Sequence, residues 1–294
     1  MARTMSEDVL SHLGLSTTDD LVGMFKDVKF VCCGGSATRM ENFAKFILKK
    51  LSSSHLKIDL PTEQNLRNIC RTDRYVMYKV GPVLSISHGM GMPSMSIMLN
   101  EVIKLIRYAT CTDVVFIRIG TSGGLGLAPG SVVITGEAVN YEFKPIYQLP
   151  VLGHMRSWQT TLSRDVAEAI KACALPDDGY DVVINKTMAT DDFYEGQGRL
   201  DGALCDYTEE DKMDYLKEAY RNGVRNIEME STCFASITSR ANIKAAVVCV
   251  TFLDRLHGDQ VTATKETVQQ WQERPQQLVA RYILKCLEEP QGMK

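Results

Sequence analysis

Short β-branched runs alternate along the chain with segments whose apolar residues recur every three or four positions. Runs at Val28–Cys33, Val83–Ser87, Val114–Ile119, Ser131–Ala138, Asp181–Ile184 and Ala245–Phe252 predict strands. Several are apolar nearly throughout, the pattern of strands buried on both faces of a helix-covered sheet. Over Ser94–Arg107, Met95, Met98, Leu99, Val102 and Ile106 keep helical spacing. Ser163–Leu175 predicts a capped helix with Val166, Ala169, Ile170 and Cys173 inward. Thr208 caps a helix over 209–221 that Gly223 ends. In the tail, 265–287, Val268 and Trp271 precede Leu278, Val279, Tyr282, Ile283 and Cys286, and Pro275 is expected to split the segment into two helices. The least regular stretches, 139–160 and 190–207, predict loops that carry function. This alternation argues for a single α/β domain without repeats or linkers.

Composition narrows the classes. The 294 residues are 45% hydrophobic and 23% charged, with a net charge of -3. The isoelectric point is about 6.0 and no Lys/Arg block stands out, so neither nucleic acid nor an anionic membrane is an expected partner. A small anionic substrate remains open, because a few pocket arginines do not move the total. Nine cysteines, without C-x-x-C spacing, argue against a disulfide framework or a zinc site and fit a reducing cytoplasm. No signal peptide or 18-residue apolar run is found.

Three predicted strands run into glycine-containing segments: V31-C-C-G-G-S-A-T-R39, S85-I-S-H-G-M-G-M-P-S94 and F116-I-R-I-G-T-S-G-G124. Ligands of α/β sheets sit at strand carboxyl ends, and glycines there let backbone N–H groups approach an anion. Arg39 and Arg118 add guanidinium forks suited to phosphate oxygens, and Thr121 adds a hydroxyl. One such turn is better explained by structure alone; three, two of them with arginine, bring a phosphate-like ligand level with that explanation. The G-x-x-x-x-G-K-[ST] fingerprint is absent, and G89-M-G-M-P-S94 lacks the third glycine of a dinucleotide site.

Two further segments are polar. In F193-Y-E-G-Q-G-R199, an extended backbone would point Gln197 and Arg199 the same way, offering an amide and a guanidinium to a flat heterocycle, with Phe193 to stack on it. A solvated loop with an aromatic anchor explains the same residues. In N226-I-E-M-E-S231, Glu228 and Glu230 share a face if extended and can accept from sugar hydroxyls; helix-dipole acids are the alternative. Nothing nearby predicts a raised carboxyl pKa. His88 lies among glycines and suits a structural or a ligand role equally, whereas His55, His154 and His257 are expected to be exposed.

Taken together, G34-G-S-A-T-R39, T72-D-R74, S87-H-G-M-G91, R118-I-G-T-S-G123, F193-Y-E-G-Q-G-R199 and N226-I-E-M-E-S231 resemble the nucleoside phosphorylase-I family, within it the uridine phosphorylases of animals. The resemblance runs from about residue 7 to the C-terminal helix. It implies one domain over 1–294, with a largely buried mixed sheet flanked by helices, an arm at 1–20 and a helical tail at 265–294. It implies phosphate binding by Gly35, Arg39, Arg118, Ile119, Gly120 and Thr121, with Arg74 reaching in from a neighbouring subunit. Ser122, Gly123, Phe193, Gln197, Gly198 and Arg199 match the uracil pocket, braced by Arg255. Glu228, Met229 and Glu230 match the ribose segment, and His12 a histidine donated across a homodimer.

The implied reaction is reversible uridine phosphorolysis in pyrimidine salvage, with Arg199, Gln197 and Arg118 as catalytic groups, inorganic phosphate as co-substrate, and no cofactor or metal. Three departures stand out. Asp254 occupies a position where uridine phosphorylases often carry asparagine and purine enzymes an aspartate. Ala37 replaces a frequent proline. Tyr75 replaces the glutamate of a bacterial cation site, so that site is expected to be lost. The competing readings are a purine nucleoside phosphorylase or nucleosidase, a dinucleotide-dependent oxidoreductase, and a silent binding relative.

Overall fold

The structure is a computed structural model describing residues 5–289; residues 1–4 of the expected arm and 290–294 of the expected tail lie outside them. The arm holds an antiparallel pair, β1 (Val9–Leu10) and β2 (Leu15–Ser16), then helix α1 (Leu21–Phe25). The main sheet contains β3 (Phe30–Gly34), β4 (Met77–Val80), β5 (Val83–Ser87), β6 (Val115–Gly124), β7 (Val132–Val139), β10 (Val182–Ala189), β11 (Val224–Glu228) and β12 (Lys244–Asp254). Strands β8 (Ile146–Val151) and β9 (His154–Gln159) form a separate hairpin. The order is β11-β10-β7-β12-β6-β3-β5-β4, and β11 also pairs with β6, so five strands close into a ring from which β3, β5 and β4 extend. Parallel and antiparallel pairs both occur, so the sheet is mixed.

Alternation along each strand sets the layers. In β3, Val31 and Cys33 point to one face, and Phe30 and Cys32 to the other. The first face packs against α1, α3 (Gly91–Tyr108) and α6 (Ser231–Arg240). The second packs against α2 (Ala37–Ser52), α4 (Arg164–Lys171) and α7 (Lys265–Glu288). Helix α5 (Glu209–Arg221) covers β11; Thr208 and Asp211 cap it reciprocally, and Gly223 follows it at φ +88°.

Two expectations fail. Residues 139–160 are not a plain loop. The β8–β9 hairpin turns at Leu152 and Gly153, both at positive φ, as a type I′ turn requires. Leu152 lacks the Asn or Asp signal, so the turn is hidden in the sequence. Pro275 does not split the tail; α7 runs unbroken across it. An interior proline costs about 3 kcal/mol. Burying a large apolar side chain returns about 1.5–3 kcal/mol. Leu278, Val279, Tyr282 and Ile283 continue one buried stripe beyond Pro275 and outweigh the lost bond. Among the described residues no helix is long and apolar enough to cross a membrane.

Candidate active site

Strands β3, β5, β6, β11 and β12 direct their carboxyl ends to a cavity of about 430 Å³, within the range of small-molecule sites. All three glycine segments reach it, through Gly35, Ser36 and Arg39, through Gly89 and Met90, and through Arg118, Thr121, Ser122 and Gly123. The polar loop contributes Phe193, Gln197 and Arg199, and β11 with the start of α6 contributes Glu228, Met229 and Glu230. Distant segments thus meet in one place. A larger groove, about 940 Å³, lies between α2 and α7 and shares Ser36, Arg39 and Val261 with the cavity, but none of the other motifs enters it.

The third segment is not a loop but the end of β6. Arg118 is buried there. Its Nη1 lies 3.0 Å from Glu228 Oε2 and 3.2 Å from Cys249 Sγ, and its Nη2 binds Glu230 Oε2. Gly120 makes this possible, because a Cβ on it would lie 2.7 Å from the guanidinium. Glu228 also accepts from the backbone N–H groups of Glu230 and Ser231, both at 2.9 Å, which are donors at the start of α6. Glu228 thus meets the helix start and lines the cavity at once. Glu230 Oε1 accepts from Gly91 N at 2.6 Å, tying the second glycine loop to the same cluster.

Burial, reinforced by Glu230 and opposed by Arg118, pushes the Glu228 carboxyl above the usual carboxylate range. Burial acts likewise on Glu230, but Arg118 and His88 outweigh it and hold that carboxyl low. Burial, with a second carboxylate alongside, supplies the raised Glu228 pKa that the sequence does not predict.

The base side is a second network. Arg255, fully buried, donates from Nη2 to the Gln197 carbonyl at 2.8 Å and from Nε to Asp259 Oδ1 at 2.9 Å. Asp259 also receives Lys212 Nζ at 2.8 Å and Leu200 N at 3.0 Å. Arg199 is held side-on by Asp201, with Nε–Oδ1 and Nη2–Oδ2 both 2.8 Å, and its guanidinium lies 4.3 Å from the Phe193 ring centroid. The loop is not extended as expected. Glu195–Gln197 form a 3₁₀ turn and Gly198 follows at φ +59°. The turn, rather than strand alternation, brings Gln197 and Arg199 to one cavity. Behind the base wall, Thr135, Thr187, Asn226 and Ser122 form a buried hydrogen-bond chain, with Asn226 Nδ2 donating to Ser122 Oγ at 3.0 Å.

His88 is structural in character. Its backbone N–H donates to Gly34 O at 2.9 Å, joining the first two loops. Burial, with Arg118 beside it, lowers its pKa to about 3 and keeps the ring neutral. Asp254 does not line the cavity. It accepts from Gly126 N at 3.0 Å and Leu256 N at 3.1 Å and pairs with His257 Nδ1 at 3.0 Å, so it braces a turn. Ile119 is a core side chain, and neither it, Gly120 nor Gly198 lines the cavity. His55, His154 and His257 are exposed as expected.

His12 and Arg74 lie outside the cavity: Thr72, two residues before Arg74, donates from Oγ1 to the His12 carbonyl, and Arg74 is exposed. His12 Nδ1 lies 2.6 Å from Glu101 Oε1. Asp201, Lys212, Asn226 and Asp259 escape the sequence reading. The spacing of Asp259 four residues after Arg255 is the one available signal.

Comparison with known proteins agrees with this geometry. The sequence profile of the phosphorylase superfamily matches residues 29–284. Mouse (Mus musculus) uridine phosphorylase 1 is 53% identical over 96% of this chain and 90% of its own length. Human (Homo sapiens) uridine phosphorylase 2 is 51% identical over 96% of this chain and 88% of its own. The crystal structure of Schistosoma mansoni uridine phosphorylase in complex with uracil superposes with a TM-score of 0.88 at 41% identity, covering 96% of this chain and 95% of that one. The chain belongs to the phosphorylase superfamily and, within it, to the uridine phosphorylases.

Proposed function

We propose that the chain catalyses reversible phosphorolysis of uridine to uracil and ribose 1-phosphate, in pyrimidine salvage and catabolism. The observation that carries this reading is one cavity in which Arg39 and Thr121, Glu228–Glu230, and Gln197 with Arg199 all converge. A phosphate oxygen forms the new bond to C1′ while the C1′–N1 bond breaks and its electron pair leaves on uracil. No side chain is needed as covalent nucleophile. Gly35, Arg39, Arg118 and Thr121 face the phosphate, and Arg118 also orders the two glutamates that accept from ribose hydroxyls.

Charge building on uracil meets Gln197 and Arg199. The base-side network holds three cations, Arg199, Arg255 and Lys212, and two carboxylates, Asp201 and Asp259, so it is net positive before the leaving group becomes anionic. That is preorganised stabilisation of a developing charge. Asp254, turned away from the cavity, disfavours the purine reading. Consumption of uridine, but not inosine, in the presence of phosphate is the direct test. The nine cysteines are all free thiols, which fits a reducing cytoplasm.

The assembly we propose is a homodimer in which Arg74 and His12 serve the neighbouring cavity. Both lie outside their own cavity, on segments that the Thr72–His12 hydrogen bond joins, which supports it. Arg74→Ala should raise the KM for phosphate by about tenfold, the effect of losing one charge-assisted contact. Mixing it with an Arg199→Ala chain should restore roughly a quarter of the wild-type sites, because half the chains pair as heterodimers with one intact cavity each. Purely additive activity in the mixture would refute a shared site.

A further inference from the structure

We propose that Asp201 is a positioning residue for bond cleavage: it clamps Arg199 and links it to the segment after β12 that lines the cavity. The inference rests on the phosphorolysis reading above and deepens it. A guanidinium has five N–H donors. In Arg199, Nε and Nη2 meet the two Asp201 oxygens, both at 2.8 Å, and Nη2 also donates to the Asp259 carbonyl. Nε and Nη2 are therefore committed to the wall, and Nη1 is the nitrogen left with free donors for the base. Phe193 fixes the plane of the group from its face. A side chain with three rotatable carbons is thereby reduced to one orientation, which is what stabilisation of a charge at a defined place requires.

The same carboxylate also holds the next residue of that wall. Gln260 Nε2 donates to Asp201 Oδ2 at 2.9 Å. Gln260 and Val261 line the cavity from the segment between β12 and α7. Asp201 itself does not line it. Its carboxyl sits at a pKa of about 2, chiefly through the bond from Arg199, so the clamp stays ionised throughout the neutral range. Asp201 thus couples the orientation of the leaving-group arginine to the placement of the Gln260 segment.

The test uses single-turnover cleavage of uridine and 5-fluorouridine by the full chain, its Asp201→Asn variant and its Gln260→Ala variant. Fluorine makes the departing base more acidic, so its departure needs less help from Arg199. Asp201→Asn should slow uridine cleavage about 100-fold, the usual consequence of a misplaced catalytic group. It should slow 5-fluorouridine by clearly less, about tenfold on the same scale, and leave the KM for phosphate unchanged. Gln260→Ala, at an exposed position, should slow uridine by about fivefold, one lost hydrogen bond, with the same bias between substrates. Equal losses on both nucleosides, wild-type-like rates, or a shifted phosphate KM would overturn the inference. If Asp201→Asn fails to fold, the bias in Gln260→Ala decides. An unmodified chain that cleaves neither nucleoside would instead remove the functional reading itself.

Discussion

Arg199→Ala is expected to lower uridine turnover about 100- to 1,000-fold, the range for removing one donor aimed at a developing anion. The size follows from the surroundings. Arg199 is buried beside Gln197, where water screens its charge weakly. It is also held rigid by Asp201 and Phe193, so nothing must reorganise as charge appears on the base. The loss should fall on turnover more than on the KM for phosphate, because the phosphate loops reach the cavity from β3 and β6 rather than from this turn. A variant that keeps wild-type turnover would show that the leaving group departs without this residue.

Arg118→Met is expected to damage the fold as well as the reaction. It keeps most of the side-chain volume but leaves Glu228 and Glu230 buried side by side without their cation. Breaking a buried ion pair from one side costs about 3–5 kcal/mol. For a domain of this size that is a fall of roughly 10 °C in the unfolding midpoint. Adding Glu228→Gln and Glu230→Gln removes the uncompensated charges and should recover most of the midpoint without recovering turnover. A single variant that unfolds within about 2 °C of wild type would show the cluster to be far better solvated than its burial implies.

Much of this was legible in the residues. Apolar runs located β3, β5, β6, β7, β10 and β12, because strands buried on both faces need little alternation to be recognised. Helix α2 is not among the predicted helices, although Met40, Phe43, Ala44, Ile47 and Leu51 keep helical spacing. Strand β11 runs into the N-I-E-M-E-S motif, where polar residues mask the period. Residues from each glycine segment, the polar loop and the glutamate segment line one cavity, but singly each motif is also explained by loop structure, and only their combination is informative. What they did not reveal is which groups hold them. Asp201, Asp259 and Lys212 act through contacts such as Lys212 to Asp259, 47 positions apart, and no local pattern marks such pairs. Pro275 and the Leu152–Gly153 turn show the converse, local rules overridden by packing and by pairing.

The measurement that tests the central claim most directly is the ultraviolet absorbance change of uridine incubated with the purified chain, with and without phosphate. The account predicts loss of uridine only when phosphate is present, with ribose 1-phosphate formed in equal amount to uracil and inosine left intact. Breakdown without phosphate would make the chain a hydrolase, and no breakdown under either condition would contradict the account outright.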